Sequence, residues 1–370
     1  MAKLTWVLYN SDASVDFTSS VQSFTYTQGR QSVLDNYSGG TAQITMRNNT
    51  GQVAAAFLAY RQKVLIKCQG TEAFIGWVQA IDYNDTPGNA NDATAVITLG
   101  DAWVLAGQQI ATSQLLSSNT NQIDEISNLQ FYPSQFQQVY FTATTPIRGS
   151  LTFAGDWASR LNQIVASDRG AFFVFNGTHN YFTLSDMRYN CTDSYTFGRT
   201  ASASVIAYES FNRVAAVGNK TFVNQAQVTP ESLATQTATN ATALVVGPSA
   251  VTVATLNTTA ANGLNVATWI ANSMGDSASR QSYQITVKDI SQTAITNLAS
   301  MLTYTNNLAL AYTPPGGVST TERTLTEGIT VRGFIDHTEV DFYLSPYTYY
   351  NYFILNDTFN GVLDSSRLGW

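Results

Sequence analysis

Charge is what this sequence is short of. Charged residues are 12% of its 370 residues, about half the roughly 25% of an average globular domain. Acidic residues outnumber basic ones by 25 to 18, a formal net charge of -7. A chain without a basic excess lacks the footprint that general nucleic-acid binding needs. Cysteine is nearly absent: Cys68 and Cys191 are too few to staple a chain long enough to bury its own cores, and they read as unpaired thiols. The two histidines, His179 and His337, lie far apart without companion ligands at metal spacing, so no metal and no cofactor are expected. There is no GxSxG, no HExxH, no Walker loop and no GxGxxG after a strand, hence no recognisable catalytic residue. No apolar run approaches a membrane span, and MAKLTWVLYNSD has no long apolar core of a signal peptide. Assembly in the cytoplasm of the producing cell, with no membrane anchor, is the expectation.

What the chain has instead is neutral polarity and aromatic rings. Thr, Ser, Asn and Gln supply the wetting that charge does not, beside 44% hydrophobic and 12% aromatic residues; such a surface suits broad contact with other proteins. The length admits two to four compact units. Val15, Phe17, Val21, Phe24 and Tyr26, then Ala42, Ile44 and Met46, recur at roughly period two around the turn residues Gly29, Arg30 and 38–40. That is the pattern of half-buried strands. Residues 63–68, 73–80 and 93–99 predict further strands, divided by QGTE and NDTPGNAND. Alternation in KVLIKC is weak, which predicts a strand covered on both faces. This first unit, 1–100, reads as an antiparallel β-barrel.

A second stretch, 101–203, is a connecting region and an α+β insert. Ile123 and Ile126 stand at near-helical spacing within 120–130, a short helix ended by Pro133. Trp157, Leu161, Ile164 and Val165 form one helix face over 156–168, with Asp156 at its start and Gly170 beyond its end. AFFVF, NGT and NYFTL predict a hairpin over 171–184, with His179 at its turn. From 204 to 346 a strand-rich unit returns as a second barrel: ALVVG and VTVATL, then a helix over 263–274 turning Leu264, Ala267, Ile270, Ala271 and Met274 inward, then three strand-bearing stretches. His337 is placed in a strand there as a polar-face residue. The fold class is mainly β with an α+β insert: two antiparallel barrels plus a small helix-on-hairpin domain.

Residues at several points carry a resemblance. Phe24 to Arg30, Leu34, Asp35, Gly40, Thr41, Ala42, Ile44, Asn48 and Gly51 follow, in order, a pattern that resembles the opening of tailed-bacteriophage minor tail proteins. The helix and hairpin with Arg188, and AYESFNRVAAVG after them, resemble the second domain of phage tail-tip hub proteins. Ile329, Gly333, His337, Val340, Phe342, Leu344, Ser345 and Pro346 match their late hairpin, and 352–370 resembles their terminal tag. The resemblance implies two tail-tube-type barrels, a homotrimer that mimics a six-subunit tube ring, and a place at the virion tail tip. It implies a structural hub that adapts the tube to the tip and lines the DNA ejection channel. Its partners would be other tail proteins, of the distal tail or tube and of the central spike or fibre. DNA would pass without specific binding, which an acidic wall favours.

Two rival readings start from side chains. Asp124 with Glu125, or Asp336, Glu339 and Asp341, are carboxylates of the kind glycoside hydrolysis employs in pairs. Phe131, Tyr132, Tyr140, Phe141 and the run Tyr343, Tyr347, Tyr349, Tyr350, Tyr352 and Phe353 are rings that stack on sugars in a peripheral receptor- or carbohydrate-binding tail protein. They equally serve subunit interfaces, and this is preferred because the run leads into the apolar segment 347–370. Within it Tyr352, Phe353, Leu355, Phe359, Leu363 and Trp370 are too apolar for a solvated tail. They dock on the chain's own domain or form an assembly interface with a neighbour.

Overall fold

The computed structural model describes residues 3–31, 35–85, 92–116, 136–138, 151–168, 170–175, 178–182, 195–215, 222–275, 281–302 and 307–346. The first hundred residues form β1 (Trp6–Asn10), β2 (Val15–Asp16), β3 (Val21–Gly29), β4 (Thr41–Arg47), a single turn α1 (Gln52–Ala55), β5 (Lys63–Cys68), β6 (Thr71–Asn84) and β7 (Thr94–Gly100). Alternation decides their faces: Phe24 and Tyr26, Ala42, Ile44 and Met46, and Ala95, Ile97 and Leu99 are buried together while their neighbours are not. β5 is covered on both faces, as its weak alternation predicts. Val64, Ile66 and Cys68 join the core of the sheet, and Leu65 joins a second core outside it.

The middle of the chain supplies that second core. It contains α2 (Ala102–Gln108), β8 (Ile110–Leu116), β9 (Phe136–Gln138), β10 (Leu151–Asp156), α3 (Trp157–Asp168), β11 (Ala171–Phe175) and β12 (Thr178–Phe182). Helix α2 falls where the sequence pattern loosens. Asp101 caps it, its Oδ1 accepting from the N–H groups of Trp103 at 2.9 Å and Val104 at 3.1 Å, a satisfaction of orphan donors that fixes where a helix starts. In α3 the four expected face residues are all buried. The residue His179 lies in β12 opposite Val174 rather than at the hairpin turn. The helix expected in 120–130 and Cys191 lie outside the described residues.

The remainder forms β13 (Tyr195–Gly198), β14 (Val205–Ala207), β15 (Ser210–Ala215), β16 (Gln225–Pro230), β17 (Gln236–Thr239), β18 (Ala250–Thr255), α4 (Ala260–Gly275), β19 (Gln281–Lys288), α5 (Ile295–Met301), β20 (Asn307–Tyr312), β21 (Thr320–Gly333) and β22 (Thr338–Pro346). ALVVG, expected as a strand, is a 3-10 turn over Ala243–Val246, ended by Gly247 at φ 100°. In α4 Leu264 is exposed, against expectation; Val266 and Trp269 take the buried face with Ala267, Ile270, Ala271 and Met274. The strands β16 to β18 form their own three-stranded sheet. With α4 they pack on α2, α3 and the outer faces of Leu65, Ile75 and Trp77.

The main sheet has fourteen strands and is predominantly antiparallel. Its amino-terminal half runs β3-β4-β7-β6-β5-β1-β2, and its other half gathers β13, β14, β15, β19, β20 and β22 around β21. Where the sequence leads to two separate barrels, the halves are one sheet, joined because β21 pairs with β3 from Gly328 opposite Gly29 to Gly333 opposite Phe24. Both halves curl. Trp6 packs on Phe24 with ring centroids 4.9 Å apart although four strands separate β1 from β3 in the sheet. In the second half the N–H of Tyr208 donates to Gly198 of β13 and the next N–H, of Glu209, donates to Thr286 of β19. Two successive residues thus link β13 to β19, each the second strand from an edge of that half. No ladder among the described residues closes either half into a ring.

Cys68 lies in the shared core, and burial, with Asp289 adding to it, pushes its thiol up to about 12. In a Cys191→Ser chain at neutral pH, a thiol reagent is therefore expected to label Cys68 only after denaturation. Rapid native-state labelling, read by mass spectrometry, would show that this core is open.

Candidate functional site

Two sets of positions stand out, those that hold the halves together and those that face outward. The seam comes first. Gly29 adopts φ 83°, and a Cβ built there would stand 2.3 Å from the Glu327 carbonyl oxygen. A Cβ on Gly328 would meet the Gln28 and Arg30 carbonyls at 2.6 Å. The two backbones touch at a spacing that only glycine permits.

One residue further on, Arg30 Nε donates to Glu327 Oε2 at 2.7 Å, both side chains being almost fully buried. The Arg30 N–H also donates to the Glu327 carbonyl at 2.9 Å, and Ser345 Oγ donates to Glu327 Oε1. The guanidinium lies 4.7 Å over the ring of Tyr37. Tyr37 is tied in turn to α3, its N–H donating to Asn162 Oδ1 at 2.9 Å and its carbonyl accepting from Asn162 Nδ2 at 3.0 Å. What reads in the sequence as a turn is thus the meeting point of β3, β21, β22 and the helical insert.

Further polar ties follow the same logic. Asp289, fully buried, accepts from the N–H groups of Leu4 at 3.0 Å and Thr338 at 2.9 Å, holding the start of the chain against β22. Arg160, almost fully buried in α3, reaches Gln163 at 3.2 Å and Glu231 at 3.4 Å. Glu322 accepts from both Tyr283 and Tyr312 within a cluster of rings that includes Phe211; burial, followed by Glu322, pushes the Tyr283 hydroxyl well up. The sequence reading missed all of these, and the partners Leu4, Glu231 and Tyr283 lie far along the chain from the residues they meet.

The carboxylates weighed for glycoside chemistry are engaged elsewhere. Asp341 accepts from Arg332 at 2.6 Å and from Thr286 at 2.7 Å; Glu339 meets Lys288 at 3.0 Å. Asp336 meets His337 Nδ1 at 2.7 Å. His337 is in the β21–β22 turn, not in a strand, with its ring stacked on Phe334 at 4.8 Å. Asp124 and Glu125 lie outside the described residues. Among the described residues no group of three or more His, Cys, Asp or Glu is placed to hold a metal ion, and no helix is long and apolar enough to cross a membrane.

Outward-facing rings complete the picture. Phe57 is 62% and Tyr60 64% exposed, on a loop where Phe57 and Arg61 adopt φ 51° and 68°. The buried Asn10 amide holds that loop by donating to the Ala56 carbonyl at 2.9 Å and to the Phe57 carbonyl at 3.0 Å. An exposed ring kept at a costly backbone angle is a feature of contact surfaces. Phe334 and Ile335, at the β21–β22 turn, form a second exposed apolar point. Of the sequence-selected aromatics, Tyr343 is half-buried in β22. Phe131, Tyr132, Tyr140 and Phe141, with Tyr352, Phe353, Leu355, Phe359, Leu363 and Trp370, lie outside the described residues.

No protein-family model and no curated protein matches this sequence. Solved structures do. A tail protein from Neisseria meningitidis aligns over 93% of this chain and 97% of its own at TM-score 0.62 and 10% identity. The 43 kDa tail protein of prophage MuSo2 from Shewanella oneidensis aligns over 94% and 98%, at TM-score 0.56 and 10% identity. This chain has the fold of phage tail proteins. A component of the Escherichia coli type VI secretion system, described as similar to the bacteriophage T4 tail proteins gp27 and gp5, aligns over 94% of this chain and 77% of its own at TM-score 0.52 and 10% identity. In this tail-protein fold the seam residues hold the two sheet halves in register, whereas the rings of Phe57 and Tyr60 face outward.

Two outcomes are expected here. Replacing Glu327 by Gln removes the carboxylate that Arg30 Nε meets in the core and should cost about 3 to 5 kcal/mol in urea denaturation, whereas Arg30→Met combined with Glu327→Met should cost clearly less. Equal losses in the single and double variants would deny the pair its role. The second outcome concerns pH. Asp336, and then Glu339, hold the His337 pKa above its ordinary 6.5, so the stabilisation is full below that value and lost as pH rises through the higher folded pKa. The melting-temperature advantage of the native chain over His337→Gln should be larger near pH 5.5 than near pH 8.5.

Proposed function

We propose that this chain is a non-catalytic structural component of a phage tail tip, the hub that adapts the tail tube to the tip and lines the channel for DNA. The observation that carries the reading is the end-to-end correspondence with tail proteins, more than nine-tenths of both chains in the first two comparisons. Each half of the sheet serves as one tube-type barrel module, so three copies present six modules around the axis, and the seam makes each pair rigid. Neighbours are other tail proteins: the distal tail or tube on one side, and spike or fibre proteins on the other. Tyr352, Phe353, Leu355, Phe359, Leu363 and Trp370 provide assembly contacts. With a net charge of -7, the inner wall repels phosphates and lets DNA slide.

The test is the averaged density of intact tails carrying this protein. A three-fold ring on the tail axis, with an inner wall of acidic and neutral polar residues, is the expected result. Copies confined to the periphery would replace this reading by that of a receptor- or carbohydrate-binding tail protein, and a continuous basic lumen would remove the channel role.

A further inference from the structure

The alternation that fills the core on one side of the main sheet leaves a second set of side chains on the other. Residues directly opposite each other on paired strands share a side of the sheet, so that set can be followed from strand to strand. One row runs through Ser210, Thr286, Asp341, Thr330, Thr27 and Thr41. The next runs through Lys288, Glu339, Arg332, Thr25, Gln43 and Thr98, then reaches β6 at Ala80. Both rows cross the seam, because β21 pairs with β3. Eight neighbouring strands, from β15 to β6, spaced about 4.8 Å apart, make a wall roughly 34 Å wide. The second core covers the outside of β5 and β6 at Leu65, Ile75 and Trp77, whereas Ser210, Thr41 and Gln43 of these rows are exposed.

The charges of the two rows cancel in pairs. Arg332 meets Asp341, which is almost fully buried, at 2.6 Å, and Lys288 meets Glu339 at 3.0 Å. Beyond them the same face adds Arg47 and Asp82, one charge of each sign. The rest of both rows is hydroxyl, amide and one alanine. Non-specific affinity for DNA comes from lysines and arginines that replace the counterions of phosphates, and a cation already held by a carboxylate replaces none. Nor does the face resemble the apolar, aromatic centre of a protein interface; the exposed rings of Phe57 and Tyr60 lie outside these rows.

We propose that this face, from β15 to β6, is the surface past which duplex DNA moves, and that Glu339 and Asp341 keep Lys288 and Arg332 from holding phosphates. The inference rests on the channel reading and names the face that serves it. The net charge of -7 acts at a distance, while the contact layer itself is neutral and wetted by hydroxyls and amides. Pairing β21 with β3 gives that layer no break between the two halves.

Tails assembled from a Gln43→Cys, Cys191→Ser chain and treated with a small organomercurial locate the face directly, since Cys68 is buried. Metal density inside the axial lumen is expected. Density on the outside of an axial ring, or a cysteine that reacts in the free chain but not in tails, overturns the proposal and leaves the hub reading standing. Density on peripheral copies removes both. Should that chain not assemble, Thr98→Cys in the same row replaces it. The neutralising role is read from fluorescence anisotropy of duplex DNA at about 50 mM salt. Glu339→Gln with Asp341→Asn should bind at least about tenfold more tightly than the native chain and lose that gain as salt rises. Asp16→Asn with Glu72→Gln, the same change of charge away from the face, should not. Equal affinities for the two double variants overturn the role. If the first double variant does not fold, Thr25→Lys with Gln43→Lys puts two cations without carboxylate partners on the same row, and the same comparison decides.

Discussion

A buried charge is tolerable only beside its counter-charge, and the pairing of Arg30 with Glu327 applies that constraint to residues almost three hundred positions apart. Sliding β3 against β21 by one residue would strand both charges in the core and turn every side chain to the wrong face. The pair therefore sets a register more than it adds stability. Gly29 and Gly328 allow the two backbones to come close enough for it, and Ser345 and Tyr37 fill the remaining places around it. Because Tyr37 is bonded to Asn162 in α3, the same point also fixes where the helical insert sits.

Around this point the architecture follows from layers. One core lies inside the curled sheet and runs without a break from Leu8 and Phe74 to Phe197 and Phe342. A second lies outside it, where Leu65, Ile75 and Trp77 of β5 and β6 meet Trp103, Trp157, Leu161 and the small sheet carrying α4. β5 and β6 belong to both, so sheet and insert share side chains across one layer. Each large apolar side chain buried there contributes about 1.5 to 3 kcal/mol. A chain so poor in charge has few means of keeping its surfaces apart, a property suited to a protein that meets others over much of its area.

Much of the local structure was legible in the sequence. Period two in 21–26 and 42–46 marked β3 and β4, KVLIKC marked a doubly covered strand, and Trp157, Leu161, Ile164 and Val165 marked a helix face. What was not legible is long-range. Nothing local in GITVRG says that it pairs with VQSFTYTQG, and Arg160, Asp289 and Glu322 look like ordinary surface residues until their distant partners are known. Asp101 is a signal within reach, because an acid immediately before AWVLA is a helix cap, but the looser pattern around it masks the helix. His179 and His337 exchanged roles, the first in a strand and the second in a turn, because short turns are placed by the pairing of their strands. The β-rich content of Val246 and its neighbours points to a strand, but Gly247 at φ 100° ends the segment after one tight turn.

The central claim is that the two sheet halves are a single cooperative unit held in register at the seam. Differential scanning calorimetry of the full chain tests it most directly. One transition is expected, with calorimetric and van't Hoff enthalpies in agreement. Two separated transitions, one for each half, would contradict it.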